Sequence, residues 1–247
     1  MVRGVQTETR RDGTAPGRQR LVWQLLTEAL SSVTPESGPA TVLDCGGGSG
    51  SFAVPLAQAG AQVTVVDVSV DALATLHRRA DEVGVAHLVR PVQADVEALG
   101  EALPAANFDL VLAHGILEAV DHVAPAFDAI AAAVRPGALL SVLVGNPVAG
   151  VLARALSGDL AAALAELRGL DTSFAPGPGS VLALCAAAGF QVEQVHGVGV
   201  FSELVPGSAL DAPGAGEALA DLEAESAVRP PFSEIASRVH TLARRPG

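Results

Sequence analysis

Val42-Leu43-Asp44-Cys45-Gly46-Gly47-Gly48-Ser49-Gly50 is an apolar run that ends on an acid, followed by four glycines in five positions. A helical pattern opens close behind it, near Ser51. Glycines at a strand-to-helix turn permit positive φ and let a ligand come close to the main chain. The unpaired N–H groups of the new helix face the same place. Asp67 follows at the end of the next apolar run, 23 residues after Asp44. A carboxylate at this spacing accepts two hydrogen bonds from a ribose diol.

Outward from this loop the chain alternates short apolar runs with helical stretches. The runs are Ala40–Leu43, Val63–Val66, about Ala86–Pro91, Leu110–Leu112 and Leu139–Val144. Helical patterns at Phe52–Ala59, Val70–Val83 and Val123–Val134 separate them, and an earlier one covers Val22–Leu30. Such alternation builds βαβ units and a parallel sheet, and right-handed crossovers place helices on both faces. The expected fold is α/β: a doubly wound, Rossmann-like sheet of about seven strands, mostly parallel. In that fold ligands bind outside the carboxyl ends of the strands.

The second half departs from simple alternation. Asn146–Leu170 is Ala/Leu-rich and helical, broken at Ser157-Gly158-Asp159. Ser180 is positioned to cap a short helix that Gly189 ends. Val192–Phe201 and Arg238–Ala243 read as late strands around a helix at about Gly216–Ala227, which Pro230-Pro231 stops. One domain is expected: an N-terminal arm and helix over 1–36, a ligand-binding core over 40–145, a helical insertion over 146–180, and C-terminal helices and strands over 181–247.

Composition narrows the classes. Of 247 residues 49% are hydrophobic and 17% charged, enough apolar material for a core and too little charge for disorder. No apolar run reaches the roughly 18–20 residues that cross a bilayer, and the N-terminal stretch lacks the apolar centre of a secretory signal. No membrane association and a cytoplasmic location are expected. Fifteen basic residues, all arginine, stand against 27 acids, a net charge of −12. A net acid cannot draw phosphate polymers by its overall field and needs a local basic patch. The candidate clusters are Arg10, Arg11, Arg18 and Arg20 at one end and Arg238, Arg244 and Arg245 at the other. The bland reading of most of these is a dangling basic tail.

Gly48-Ser49-Gly50-Ser51-Phe52-Ala53 satisfies a loose dinucleotide fingerprint, but that register places two extra glycines before it. It also leaves an ionised Asp44 where a pyrophosphate would approach. The alternative, Asp44-x-Gly46-x-Gly48-x-Gly50, resembles motif I of class I S-adenosylmethionine methyltransferases, whose donor is cationic. Gln93-Ala94-Asp95, Phe108-Asp109-Leu110-Val111 and Val134-Arg135-Pro136-Gly137 resemble later parts of that superfamily. The resemblance implies S-adenosylmethionine as cofactor, with Asp44, Gly46, Gly47, Gly48, Gly50, Asp67, Gln93, Ala94 and Asp95 around it.

A narrower resemblance runs along nearly the whole chain, to bacterial methyltransferases that esterify the carboxylate of 5-carboxymethoxyuridine in tRNA. It rests on Gly13-Thr14-x-x-Gly17-x-x-Arg20, Leu43-Asp44-x-Gly46-Gly47-Gly48-x-Gly50, His114-x-x-Leu117-Glu118-x-Val120, Gly145-Asn146 and Gly197-Val198-x-Val200-Phe201. It implies that Arg20 binds the donor's methionine carboxylate and that His114 lines the donor site. Here Gly199 stands where those relatives carry an arginine, Gly145 replaces an aromatic, and Pro147–Leu170 holds only Arg154 and Arg168. The expected acceptor is therefore a small molecule bearing a carboxylate or hydroxyl, with tRNA as the alternative and DNA excluded. A nicotinamide-dependent oxidoreductase and a non-catalytic donor-binding module are the readings from other classes.

A carboxylate acceptor needs no base at neutral pH; for a hydroxyl, His114 is the candidate base. Glu118 is read as a brace and His122 as a surface residue. His77, His87, His196 and His240 are scattered without metal-ligand spacing, so no metal is expected. Cys45 reads as a small side chain fitted into the loop.

Overall fold

The structure, a computed structural model, describes residues 16–104, 107–170 and 178–247. Helices α1 (Pro16–Val33), α2 (Ala53–Gln58), α3 (Val70–Glu82), α4 (Leu99–Ala102) and α5 (Val123–Ala132) belong to its first half. They alternate with strands β1 (Thr41–Cys45), β2 (Gln62–Asp67), β3 (Val89–Gln93), β4 (Phe108–His114) and β5 (Val134–Gly145). Helices α6 (Pro147–Leu156), α7 (Leu160–Gly169), α8 (Pro178–Ala187) and α9 (Ala215–Ser226) follow, with β6 (Gln191–Val198) and β7 (Arg238–Arg244).

The seven strands form one sheet in the order β3-β2-β1-β4-β5-β7-β6. Strand β7 slots between β5 and β6, antiparallel to both, and the other pairs are parallel. This is the expected doubly wound sheet. Central strands such as β4 are buried along nearly their whole length, as a sheet covered on both faces requires. One face packs against α1, α2, α3 and α9; the other against α4, α5 and α8.

Local chemistry places the helix starts. Ser69 Oγ accepts from the Ala72 N–H at 3.2 Å to cap α3, and Leu73, Leu76 and Ala80 form its buried stripe. Asn146 and Asp159 cap α6 and α7 in the same way, with Gly158 at φ +86° turning the chain between them. Asp109 accepts from the Thr41 N–H and hydroxyl at 2.7 Å each and pairs with Arg135. That clamp joins β1, β4 and β5 at their amino edge.

Three local expectations differ from the structure. Ala86–Leu88 is a 3-10 turn, so the third strand starts later, at Val89. Helix α8 starts at Pro178, which places Ser180 inside it rather than at its cap. The C-terminal arginines are no dangling tail: all three lie on or beside β7. Arg244 donates to Glu193 and to the Gly137 carbonyl, and Arg245 to the Ala131 and Val134 carbonyls. Gly13 and Thr14 of the proposed N-terminal arm lie outside the described residues. No helix among the described residues is long and apolar enough to cross a membrane.

Candidate active site

The carboxyl ends of β1 to β6 and the start of β7 share one edge of the sheet, and two pockets open there. The first, about 260 Å3, lies over β1, β2 and β3. Gly46, Asp67, Ala94, Asp95, Ile116 and His122 help to line it.

Asp44 is 1% exposed beneath its floor. A Cβ on Gly47 would lie 2.5 Å from the Asp44 carboxyl, so the residue above that acid must be glycine. Gly48, at φ +53°, turns its N–H onto Asp67 Oδ2 at 2.9 Å, and Oδ1 takes the Ser69 N–H at 2.8 Å. Each Asp67 oxygen keeps acceptor capacity toward the pocket. Asp44 Oδ2 has no partner among the described residues. Burial, and then the neighbouring Asp67, push the Asp44 carboxyl up to about 7. The sequence reading took Asp44 as ionised; its burial leaves it about half protonated at neutral pH. Glycines over a shielded acid, beside a second carboxylate, suit a cationic nucleoside better than a pyrophosphate.

The expected residues do not all meet at this pocket. Gly46, Asp67, Ala94 and Asp95 line it, with Gly47 and Gly48 in the adjoining turn. Asp95 also caps the following 3-10 turn through the Glu97 N–H. The Gln93 side chain is exposed and donates toward the Val68 carbonyl at 3.4 Å. A Cβ on Gly50 would collide with Leu76, so Gly50 serves the packing of the loop on α3. Arg20 is exposed early in α1. Three residues on, Trp23 contacts Phe52 at 5.5 Å, and Phe52 meets His114 edge-on at 4.7 Å.

His114 ends β4 but lines neither pocket, unlike the expectation that it lines the donor site; it belongs to a cluster that the sequence left scattered. The register sets His114 across from Leu143, Leu143 across from His240, and His240 across from His196. The Ser141 hydroxyl lies 2.8 Å from Nε2 of both His114 and His240. The hydroxyl thus bridges the two rings, and Nδ1 of each ring is buried with no partner among the described residues. Burial, then His240 and Arg238, hold His114 well below the usual histidine range; burial and His196 take His240 down to about 3. Both rings are neutral across the working range. Among the described residues no group of three or more His, Cys, Asp or Glu is placed to hold a metal. Burial, and then Asp44, raise the Cys45 thiol far beyond its ordinary range, which leaves it inert.

The second pocket, about 530 Å3, lies over β5, β6 and β7. Ala149, Leu152 and Leu156 of α6 face Val200, Leu204 and Ile235 across it, with Gly199 in the wall and Glu203 at the exposed rim. Two residues to which sequence reasoning gave no role shape it. Glu223, 0% exposed on α9, accepts from the N–H groups of Val200, Phe201 and Ser202 at 2.9, 2.9 and 2.6 Å. Asn146 Nδ2 donates to the Glu234 and Ala236 carbonyls at 2.8 and 2.9 Å, tying α6 to the segment that enters β7. Glu118 braces the neighbouring turn through the Gly145 N–H.

A family model described as "Methyltransferase domain" matches residues 43–142. Nearly the whole chain is similar to the tRNA 5-carboxymethoxyuridine methyltransferase of Escherichia coli (strain K12). The two are 27% identical over 241 residues, covering 95% of this chain and 91% of that one. The ubiquinone biosynthesis O-methyltransferase of Methylocella silvestris is 38% identical over 118 residues, 47% of this chain and 44% of its own. Among solved structures, magnesium protoporphyrin IX methyltransferase from Synechocystis PCC 6803 with bound SAH has TM-score 0.61 at 14% identity, covering 93% of this chain and 84% of that one. At that identity the likeness speaks for the fold alone.

Proposed function

We propose that this chain, which is a class I S-adenosylmethionine-dependent methyltransferase and takes its methyl from S-adenosylmethionine, delivers that methyl to the carboxylate of a small, largely apolar molecule. The donor, when bound, supplies an electrophilic methyl on a sulfonium. Asp67 takes the ribose hydroxyls, Ala94 and Asp95 flank the adenine, and Gly46 and Gly47 lie under the methionine part. Asp44 faces its positive charge from below. Arg20, on the helix that carries Trp23 toward Phe52 and His114, takes the methionine carboxylate. The acceptor enters the second pocket.

The observation that carries the choice of atom is the state of His114. Its Nε2 is engaged by Ser141, it lines neither pocket, and burial holds it well below the usual histidine range, so it is a poor base for a hydroxyl. A carboxylate is already a nucleophile at neutral pH and requires none. What the chain then contributes is alignment of oxygen, methyl and sulfur. The size of the pocket, about 530 Å3, suits a metabolite. Its α6–α7 roof offers little to a polyanion, since Arg154 is paired with Glu166.

The full-length relative that acts on tRNA supports a second reading, in which the carboxylate belongs to an anticodon uridine. One assay separates them: tritiated methyl transfer from S-adenosylmethionine to bulk tRNA and to a small-molecule cell extract, followed by mild alkali. Volatile methanol released from the small-molecule fraction is the expected result. Label in tRNA alone, or label stable to alkali, overturns the proposal.

A further inference from the structure

Arg238 opens β7 at the edge that carries both pockets, directly across from Gly145 of β5 and Val198 of β6. Its Nη1 would be 3.9 Å from a Cβ on Gly115, so the guanidinium reaches past Gly145, over which the Glu118 carboxyl lies, to the end of β4. That places it between the pocket over β1–β3 and the pocket over β5–β7. Arg238 is in the wall of neither pocket; its chain neighbour Ser237 lines the second, and the Arg238 charge is felt at His114.

Arg238 differs from the other arginines in one respect. Arg79, Arg135, Arg244 and Arg245 are also partly buried, and each is bonded to a carbonyl or a carboxylate. Arg238 is partly buried with no hydrogen bond or ion pair among the described residues. Its guanidinium nitrogens still touch water, so the fork is open to an acceptor that a ligand supplies.

We infer that Arg238 is the anchor for the acceptor's carboxylate, and that it selects acids over the corresponding alcohols. The inference rests on the carboxyl-transfer reading above. The apolar body lies against Leu152 and Leu156 of α6 and the carboxylate toward β7. A guanidinium fork occupies one lone pair on each carboxylate oxygen and leaves another free on each. The free pair of one oxygen attacks the methyl: the O–C bond forms, the C–S bond breaks, and the electrons return to sulfur as a neutral thioether. No proton moves, in keeping with neutral His114 and His240.

The test is calorimetry on the full chain saturated with S-adenosylhomocysteine, with octanoate, octanol and octanamide as probes. The wild type is expected to bind octanoate about tenfold or more tightly than either neutral probe, the scale of charge-assisted hydrogen bonds. Arg238→Met is expected to lose that preference while octanol and S-adenosylhomocysteine bind as before, and Arg238→Lys to regain part of it. Octanoate preference surviving in Arg238→Met overturns the inference. So does absence of the preference in the wild type, or a fall in S-adenosylhomocysteine affinity in its place. Alkali-stable methyl transfer would sink the carboxyl reading itself without touching these binding ratios, so the two failures are distinguishable.

Discussion

Asp44 shows how burial, with a neighbouring acid, changes the protonation of an ordinary side chain. Its carboxyl sits near 7 because water is excluded and Asp67 is close, whereas in the unfolded chain it titrates near 4. The folded protein therefore holds an extra proton between those values, and Asp44's contribution to stability is lost as pH rises from about 4 through 7. Donor binding runs the other way, since a cation favours the ionised form. S-adenosylmethionine affinity is expected to climb about tenfold per pH unit well below 7 and to level off above it. Calorimetry across that range checks this, and Asp44→Asn should flatten the curve. Asp67→Ala removes the ribose acceptor and should weaken S-adenosylhomocysteine binding by about 1–3 kcal/mol; unchanged affinity in a folded variant would return Asp67 to a loop brace. These acids were legible in the sequence because their strand and loop chemistry is local. Burial is not local, so the protonation of Asp44 was not.

At the scale of elements, the divide falls between contacts near in sequence and those made by register. The βαβ order, the glycine turn and the break between α6 and α7 follow from short-range pattern and capping. The Ser141–His240 contact spans 99 residues and exists only because β7 enters the sheet antiparallel, a topology that no local period encodes. Arg238 was misread for the same reason: near a chain end it looks like a tail, and in the sheet it heads a strand. Glu223 belongs to this class too. Its carboxylate gathers three N–H groups of the turn after β6, and one acid among the four of α9 signals nothing of the kind. Glu223→Ala leaves those donors buried and unpaired, and should cost about 3 kcal/mol or more in urea unfolding. A loss below about 1 kcal/mol would show that water satisfies the turn.

For the whole molecule, charge sets the company it keeps. The net charge is −12, and among the described residues several arginines are already committed to internal acids and carbonyls, which leaves little cationic surface there for a polyphosphate. At near-physiological salt, tRNA is expected to bind more weakly than about 10 µM, without the steep salt dependence of a multi-phosphate contact. Tight, salt-sensitive binding in filter assays would contradict this and favour the nucleic-acid acceptor. The seating of β7 between β5 and β6 also governs how the molecule comes into being. On the ribosome the chain emerges from its N-terminal end, so β1 to β5, with the glycine turn and both acids, find their partners early. β6 must wait, because the strand that joins it to the sheet is the last one made. Until then β5 presents an open edge, and neither Arg238 nor His240 is in place. The pocket over β1 to β3 is thus expected to assemble before the pocket over β5 to β7 has its walls.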